Sequence, residues 1–165
     1  MSESYDHSDA DAQITPRLID SLYTEAMVMA DEARAYFDQS GKHQREMLDP
    51  FLRVGFACEA LKVTTRIMHI VAWLLTQRAI NSGELSPSAN TRSAARLGQA
   101  SDSDPAVAER LPEAARQLIA ASSDLYARIR RLEHSANGEN PPASPARALM
   151  GRLERDFIGQ RRTTY

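Results

Sequence analysis

One stretch of the chain, residues 50–80, carries apolar side chains on two opposite sides of a single predicted helix. It begins with Asp49-Pro50, an N-cap followed by a first-turn proline, and ends at Asn81-Ser82-Gly83. The first stripe has heptad spacing: Val54, Cys58, Leu61, Thr65, Met68, Ala72, Leu75 and Ala79. The second lies nearly opposite: Leu52, Phe56, Val63, Ile67, Ile70 and Leu74. Because a helix of a three-helix monomer needs one apolar arc, the other stripe requires a further contact.

We predict that the heptad stripe faces the bundle interior, with Cys58 as a small core residue. The six residues of the opposite stripe are then predicted to form the interface of a symmetric dimer. In the alternative, a C-terminal helix or the loop after residue 80 of the same chain covers them. Arg66, His69 and Trp73 share one flank of the helix. They are candidate partner-binding residues, although Trp73 also fits a half-buried aromatic and His69 a hydrogen-bonded residue at the edge of the seam.

Residues 61–80 are as long as a membrane span, but their charges argue against insertion. Lys62, Arg66 and Arg78 would each cost about 2.5–3.5 kcal/mol at the centre of a span. The first fourteen residues are acidic and lack the basic start of a signal peptide. Cys58 is the only cysteine, so no intrachain disulfide can form. We therefore expect a cytoplasmic protein without membrane contact.

The remaining patterns predict an all-α fold, an antiparallel three-helix bundle over residues 15–135. The first helix starts at Thr15-Pro16 and ends before Gly41, and the third region starts at Asp104-Pro105 and ends near His134. Both show alternating steps of three and four between apolar residues. We expect residues 1–14 to be a disordered acidic arm and residues 81–103 a mobile loop. We predict that residues 136–165 form a linker and a tail with a short helix over 145–158.

The tail helix carries a narrow apolar row, Leu149, Leu153 and Phe157, at steps of four. Such a row suits docking into a groove of a partner protein, and the alternative is a fourth helix packed on its own bundle. Arginines are frequent in the C-terminal third. Nucleic-acid binding is therefore a second functional class, although Glu154 and Asp156 dilute the basic charge.

Catalytic chemistry has no support in the residue patterns. The chain contains no Glu-x-x-His pair, no phosphate-binding glycine loop and no nucleophile elbow. Cys58 and His69 are eleven residues apart on one helix, about 16 Å of rise, which is too far for a dyad. We expect a protein without enzymatic activity, cofactor or metal.

Two segments resemble a known family. They are SLYTEAMVMADEARAYFD, residues 21–38, and CEALKVTTRIMHIVAWLLTQRAINSGEL, residues 58–85. Both are similar to the bacterial regulator of CtrA degradation family, also described as a domain of unknown function. The resemblance implies a dimeric three-helix bundle without enzymatic activity. Members of that family act as adaptors that help deliver cell-cycle regulators to the ClpXP protease, together with a primed response-regulator partner. The resemblance carries no catalytic residue over to this chain.

Overall fold

The computed structural model describes residues 15–86, 88 and 96–136, and these residues form a helical bundle. Its elements are α1 (Pro16–Ala35), a π-helical turn (Tyr36–Ser40), α2 (Gly41–Glu46), α3 (Pro50–Asn81), α4 (Pro105–Ala108) and α5 (Glu113–Ala136). The described ranges contain no strand, which confirms the all-α class. The acidic arm and the tail helix predicted from the sequence lie outside the described residues.

Three helices start at a capping side chain followed by proline, as predicted. The backbone N–H of Leu18 donates to Oγ1 of Thr15 (3.3 Å), and that of Leu52 donates to Oδ1 of Asp49 (3.0 Å). Asp104 caps α4 in the same way. Each cap accepts a hydrogen bond from one of the first N–H groups of its helix, which have no partner within the helix, while proline at the first position has no N–H to satisfy. At the other end of α3, Gly83 adopts a positive φ of 78° and ends the helix.

Gly41 does not end the first helix, contrary to the prediction. Its φ is −75°, in the right-handed helical region, and the chain continues through the π-helical turn into α2. A Cβ atom on Gly41 would lie 2.8 Å from the carbonyl oxygen of Tyr36 and 3.3 Å from Cζ of Phe56. The glycine is therefore required for close packing against the aromatic rings, not for a change of backbone direction.

Helices α1 and α3 run antiparallel. At one end, Nε of Arg78 lies 3.1 Å from Oδ1 of Asp20. At the other end, the rings of Tyr36 and Phe56 lie with their centroids 6.1 Å apart. The start of α3 is therefore beside the end of α1, as expected for two helices joined by a short connection.

Helix α5 runs antiparallel to α1 and hence parallel to α3. Nη1 of Arg128 lies 2.6 Å from Oε1 of Glu25, and the Tyr36 side chain interacts with the backbone of Ala115. Residues later in α5 therefore contact residues earlier in α1. This corrects the predicted antiparallel bundle, because only α1 opposes the other two long helices.

The connection between α3 and α5 explains this direction. The connection comprises residues 82–104, and its described part, residues 96–104, returns along the bundle, since the N–H of Leu97 bonds to Glu133 near the end of α5 while that of Asp104 bonds to Glu59 on α3. A chain of this length spans up to roughly 75 Å, which exceeds the length of α3, about 48 Å. The long connection therefore allows two sequential helices to lie parallel.

The core lies between the three long helices and confirms two predicted seams. On α1 the buried residues are Ile19, Leu22, Ala26, Met29 and Ala33, followed by Tyr36 in the π-helical turn. On and just before α5 they are Leu111, Ala115, Leu118, Ile119, Ser122, Leu125 and Ile129. Steps of three and four keep these side chains on one side of each helix, so each helix contributes one stripe to the core.

On α3 the two stripes take the opposite places from those predicted. Leu52, Phe56, Val63, Ile67, Ile70 and Leu74, the predicted dimer interface, are each 6% exposed or less. In contrast, Val54, Leu61, Met68 and Leu75 are 64%, 68%, 62% and 45% exposed. Cys58 is exposed as well, not a core residue. The interface assignment is therefore corrected: the stripe with the larger side chains fills the interior, where it buries more apolar area between α1 and α5.

Replacing a core residue of α3 with alanine tests whether this stripe is buried. We expect Ile70→Ala to lower the free energy of unfolding by about 2–5 kcal/mol, because the side chain is fully buried and a cavity would remain. Val28→Ala, at an exposed position of α1, is the control and should change it by less than about 0.5 kcal/mol. Urea denaturation followed by circular dichroism gives both values. An Ile70→Ala variant as stable as the control would contradict the burial of this stripe.

Candidate interaction face on helix α3

The exposed heptad stripe of α3 forms a long apolar face, which we call the α3 seam. It consists of Val54, Cys58, Leu61, Thr65, Met68, Ala72, Leu75 and Ala79. From Val54 to Leu75 the seam extends about 32 Å along the helix. Its four large side chains expose an area on the order of 400 Å², the size of the largest apolar patch on a typical soluble protein, and such a patch is often functional. The seam is thus the largest regular apolar feature on the described surface of α3.

Threonine hydroxyls on and beside the seam are satisfied within the helix. Oγ1 of Thr64 donates to the carbonyl of Ala60 (2.9 Å), and Oγ1 of Thr65 donates to that of Leu61 (2.9 Å). Thr76 bonds in the same way to the helix backbone. A hydroxyl that already has a partner loses little when water is removed from the surface. The seam can therefore be covered by another apolar surface without leaving these groups unpaired.

A groove lies beside the C-terminal half of the seam, between α1 and α3, and we call it the α1/α3 groove. Its volume is about 550 Å³. It is lined by Met27, Ala30, Ala33, Arg34, Phe37, Asp38, Thr64, Ile67, Met68, Val71, Ala72 and Leu75. Three alanines in this lining leave a recess between larger neighbours. At the opposite end of the seam, Met47 and Phe51 are exposed.

Arg66, predicted as a partner-binding residue, is buried in a polar network inside the bundle. Only 2% of the residue is exposed. Its Nη1 donates to Oγ of Ser122 (3.2 Å), and its Nη2 donates to the carbonyl of Ser101 (3.0 Å) and to Oγ of Ser103 (2.7 Å). The guanidinium group thus joins α3, α5 and the returning loop. Arg66 is therefore structural and is not available to a partner.

Glu59 completes the network about two turns earlier on α3. The residue is 1% exposed, and its Oε1 accepts from Nζ of Lys62 (2.8 Å) and from the N–H of Asp104 (3.2 Å). Oε2 is buried without a hydrogen bond of standard geometry, but the hydroxyl of Ser103 still has a proton to offer to the carboxylate. Burial alone would raise the pKa of Glu59. The bonds from Lys62, Ser103 and Asp104, with the charge of Lys62, outweigh burial and lower the pKa.

Burial also affects Arg66, since removal from water lowers the pKa of its guanidinium group. The negative charges of Glu59 and Asp102 act in the opposite direction. A guanidinium group keeps its proton under these conditions, so Arg66 remains the cation of the network.

Trp73 and His69 are also covered within the chain. Trp73 is buried in the core, which corrects its assignment as a partner-facing anchor. His69 is half-buried under the loop, and a Cβ atom on Gly98 would collide with its imidazole ring. The hydroxyl of Tyr126 donates to the carbonyl of Gly98 (2.7 Å) and accepts from the N–H of Ala100 (3.3 Å). These bonds hold residues 96–103 against the bundle, within the segment 81–103 that was predicted to be a mobile loop.

Leu149, Leu153 and Phe157 lie outside the described residues. On α5, Arg128 is paired with Glu25, so the basic face behind the nucleic-acid alternative is partly neutralised. Among the described residues, no group of three His, Cys, Asp or Glu side chains is placed to hold a metal ion. No helix in the described ranges combines the length and apolarity needed to cross a bilayer.

The sequence pattern predicts the α3 seam but places it in the interior, whereas the structure exposes it. The available signal was side-chain size, because the seam includes cysteine, threonine and two alanines while the buried stripe has only large apolar residues. A bundle core filled from two sides favours the larger set.

The fold is that of a recognised family of helical proteins. The chain belongs to the family described as "Protein of unknown function (DUF1465)", whose sequence model matches residues 10–157. Among solved structures, it is similar to that of RcdA from Caulobacter crescentus CB15. The two chains are 32% identical with a TM-score of 0.58, and the match covers 71% of this chain and 88% of RcdA. No curated protein sequence matches the chain.

The lowered pKa of Glu59 predicts a specific sensitivity to acid. Between the pKa values of the folded and unfolded chain, the unfolded chain binds more protons. The contribution of Glu59 to stability is therefore complete above about pH 4.3 and is lost as the pH falls through the lower, folded pKa. We expect the urea midpoint of the wild type to fall more steeply below pH 5 than that of Glu59→Gln. The control Glu84→Gln, at an exposed position, should follow the wild type. Parallel curves for all three proteins would contradict a lowered pKa.

Proposed function

We propose that this protein is a non-enzymatic, dimeric adaptor that helps deliver cell-cycle regulators to the ClpXP protease, together with a response-regulator partner. Membership of the family and the 32% identity to RcdA support an adaptor role. The observation that carries the proposal is the α3 seam, because an exposed apolar heptad face is built for contact with another protein. Cytoplasmic location follows from the same role.

In this proposal the first occupant of the seam is a second copy of the chain. The seam is self-complementary when two α3 helices run antiparallel about a point between Thr64 and Thr65. Val54 of one subunit then faces Leu75 of the other, and Leu61 faces Met68, since each pair is centred on the same point of the sequence. Each contact occurs twice, as a two-fold axis requires.

The shape of the surface favours the antiparallel orientation. It places the N-terminal half of one seam, from Val54 to Leu61, opposite the α1/α3 groove of the other subunit. The seam alone offers on the order of 400 Å² per subunit, whereas a stable interface usually buries about 800 Å² on each partner. Contact with the groove would supply the missing area.

Charge on the seam should prevent dimerisation. We expect Leu61→Glu and Met68→Glu to sediment as folded monomers, because each would bury an unpaired carboxylate in the interface at a cost of several kcal/mol. Val28→Glu is the matched control, since Val28 is an exposed apolar residue of α1 outside the seam and the groove. It should sediment like the wild type.

Disulfide formation through the sole cysteine, Cys58, distinguishes an antiparallel dimer from a parallel one. In the antiparallel dimer the two Cys58 residues are about 21 Å apart along the helices, too far for a disulfide. Cys58 lies opposite Ala72 of the partner subunit, so Ala72→Cys should oxidise to a covalent dimer and the wild type should not. A wild-type disulfide would show parallel helices, and dimers unaffected by either glutamate would exclude the seam.

Delivery can be assayed directly. We expect the protein to accelerate degradation of purified CtrA by ClpXP when the response-regulator partner is present, and Leu153→Asp in the tail row to abolish that acceleration. The row of Leu149, Leu153 and Phe157 is the proposed docking element for the partner. The control is Ala148→Asp, which adds the same charge away from the row. Degradation at the same rate with and without the protein would exclude the adaptor role for this substrate.

A further inference from the structure

We propose that the C-terminal segment, residues 145–158, docks in the α1/α3 groove of its own chain and competes there with a second copy. The docking stands on the groove and the tail sequence, and only the competition rests on the proposed dimer. The groove is lined by α1, the π-helical turn and α3, and among the described residues nothing covers it.

The apolar row of the tail has the geometry that the groove requires. Leu149, Leu153 and Phe157 recur every four residues, so on a helix they form one narrow stripe. A helix over 145–158 is about 21 Å long, and the lining of the groove on α1 and the π-helical turn, from Met27 to Asp38, extends about 17 Å. Three alanines leave room for the larger side chains of the row, as in other helix-in-groove contacts.

Charge complementarity favours the C-terminal tail over the N-terminal arm as the occupant of the groove. Residues 15–40 contain five acidic residues and two arginines, whereas residues 145–165 contain five arginines and two acidic residues. The lining itself holds one residue of each sign, Asp38 and Arg34, so the excess of acidic residues lies on the rest of this stretch. The N-terminal arm is acidic and has no apolar row, so α1 would repel it. The basic tail is the segment of this chain that complements the surface of α1.

The tail can also reach the groove. The pair Arg128–Glu25 places the second half of α5 beside the first half of α1, so Ala136 lies near the start of α1. The near end of the groove, at Met27, is then about 15 Å away along the bundle and one bundle width, roughly 20 Å, around it. The eight residues 137–144 span up to about 26 Å when extended, which matches the resulting distance of about 25 Å.

Docking would have a direct consequence for the dimer. Met68, Ala72 and Leu75 belong both to the α3 seam and to the groove lining. A tail in the groove therefore covers the C-terminal half of the seam, and a second copy must displace it. Release of the tail would expose the seam and the apolar row at the same time.

Disulfide trapping in the full-length chain tests the docking. In a Cys58→Ser background, Ala72→Cys is combined with Leu153→Cys, which keeps a small apolar side chain in the row. The control combines Leu153→Cys with Ala120→Cys, an exposed position of α5 that is closer to the tail in sequence. At protein concentrations where the chain is monomeric, we expect the Ala72 pair to close at least about tenfold faster, because docking raises its effective concentration. Equal rates, a faster control, or a disulfide between two chains would overturn docking within the chain.

Sedimentation tests the competition separately. We expect Leu153→Asp to lower the Kd of the dimer by about tenfold relative to the wild type, because the row no longer holds the groove. Ala148→Asp, off the row, should leave the Kd unchanged. An unchanged or higher Kd for Leu153→Asp overturns the competition. If neither variant dimerises, the proposed dimer fails, while the disulfide rates still decide whether the tail docks.

Discussion

The arrangement of the bundle depends on one constraint, the burial of a single face of α3 between α1 and α5. Phe56, Ile70 and Leu74 on that face are almost completely removed from water. Since α5 lies parallel to α3, the connection between them must travel back along the whole bundle. That connection carries backbone polar groups into the space between the two helices, where each needs a partner.

Arg66 and Glu59 supply those partners. The guanidinium group of Arg66 bonds to Ser101 and Ser103 of the loop and to Ser122 of α5, and Glu59 accepts from the N–H of Asp104. Arg66 and Glu59, which lie between the two apolar stripes of α3, thus hold the loop in place. Because these two charged groups point to the loop and not to the seam, the exposed face of α3 remains apolar.

Sequence patterns were most informative where a local rule decides the outcome. The caps at Thr15, Asp49 and Asp104 place three helix starts correctly, because a capping oxygen and a proline act within one turn. The same local logic failed at Gly41, where packing against Tyr36 and Phe56 requires a glycine inside a continuing helix. A glycine signals either a turn or a close approach, and only its neighbours in space distinguish the two.

The sequence by itself determined the helical class, the helix starts and the presence of two apolar stripes on α3. Periodicity sets the angle between two stripes on one helix, but it carries no information about which neighbour packs on either side. Tertiary structure decided that Leu61 and Met68 face outward and that Arg66 and Trp73 face inward. The physical reason is that these choices depend on contacts between residues far apart in the chain, above all on the direction in which the long loop returns α5 to the bundle.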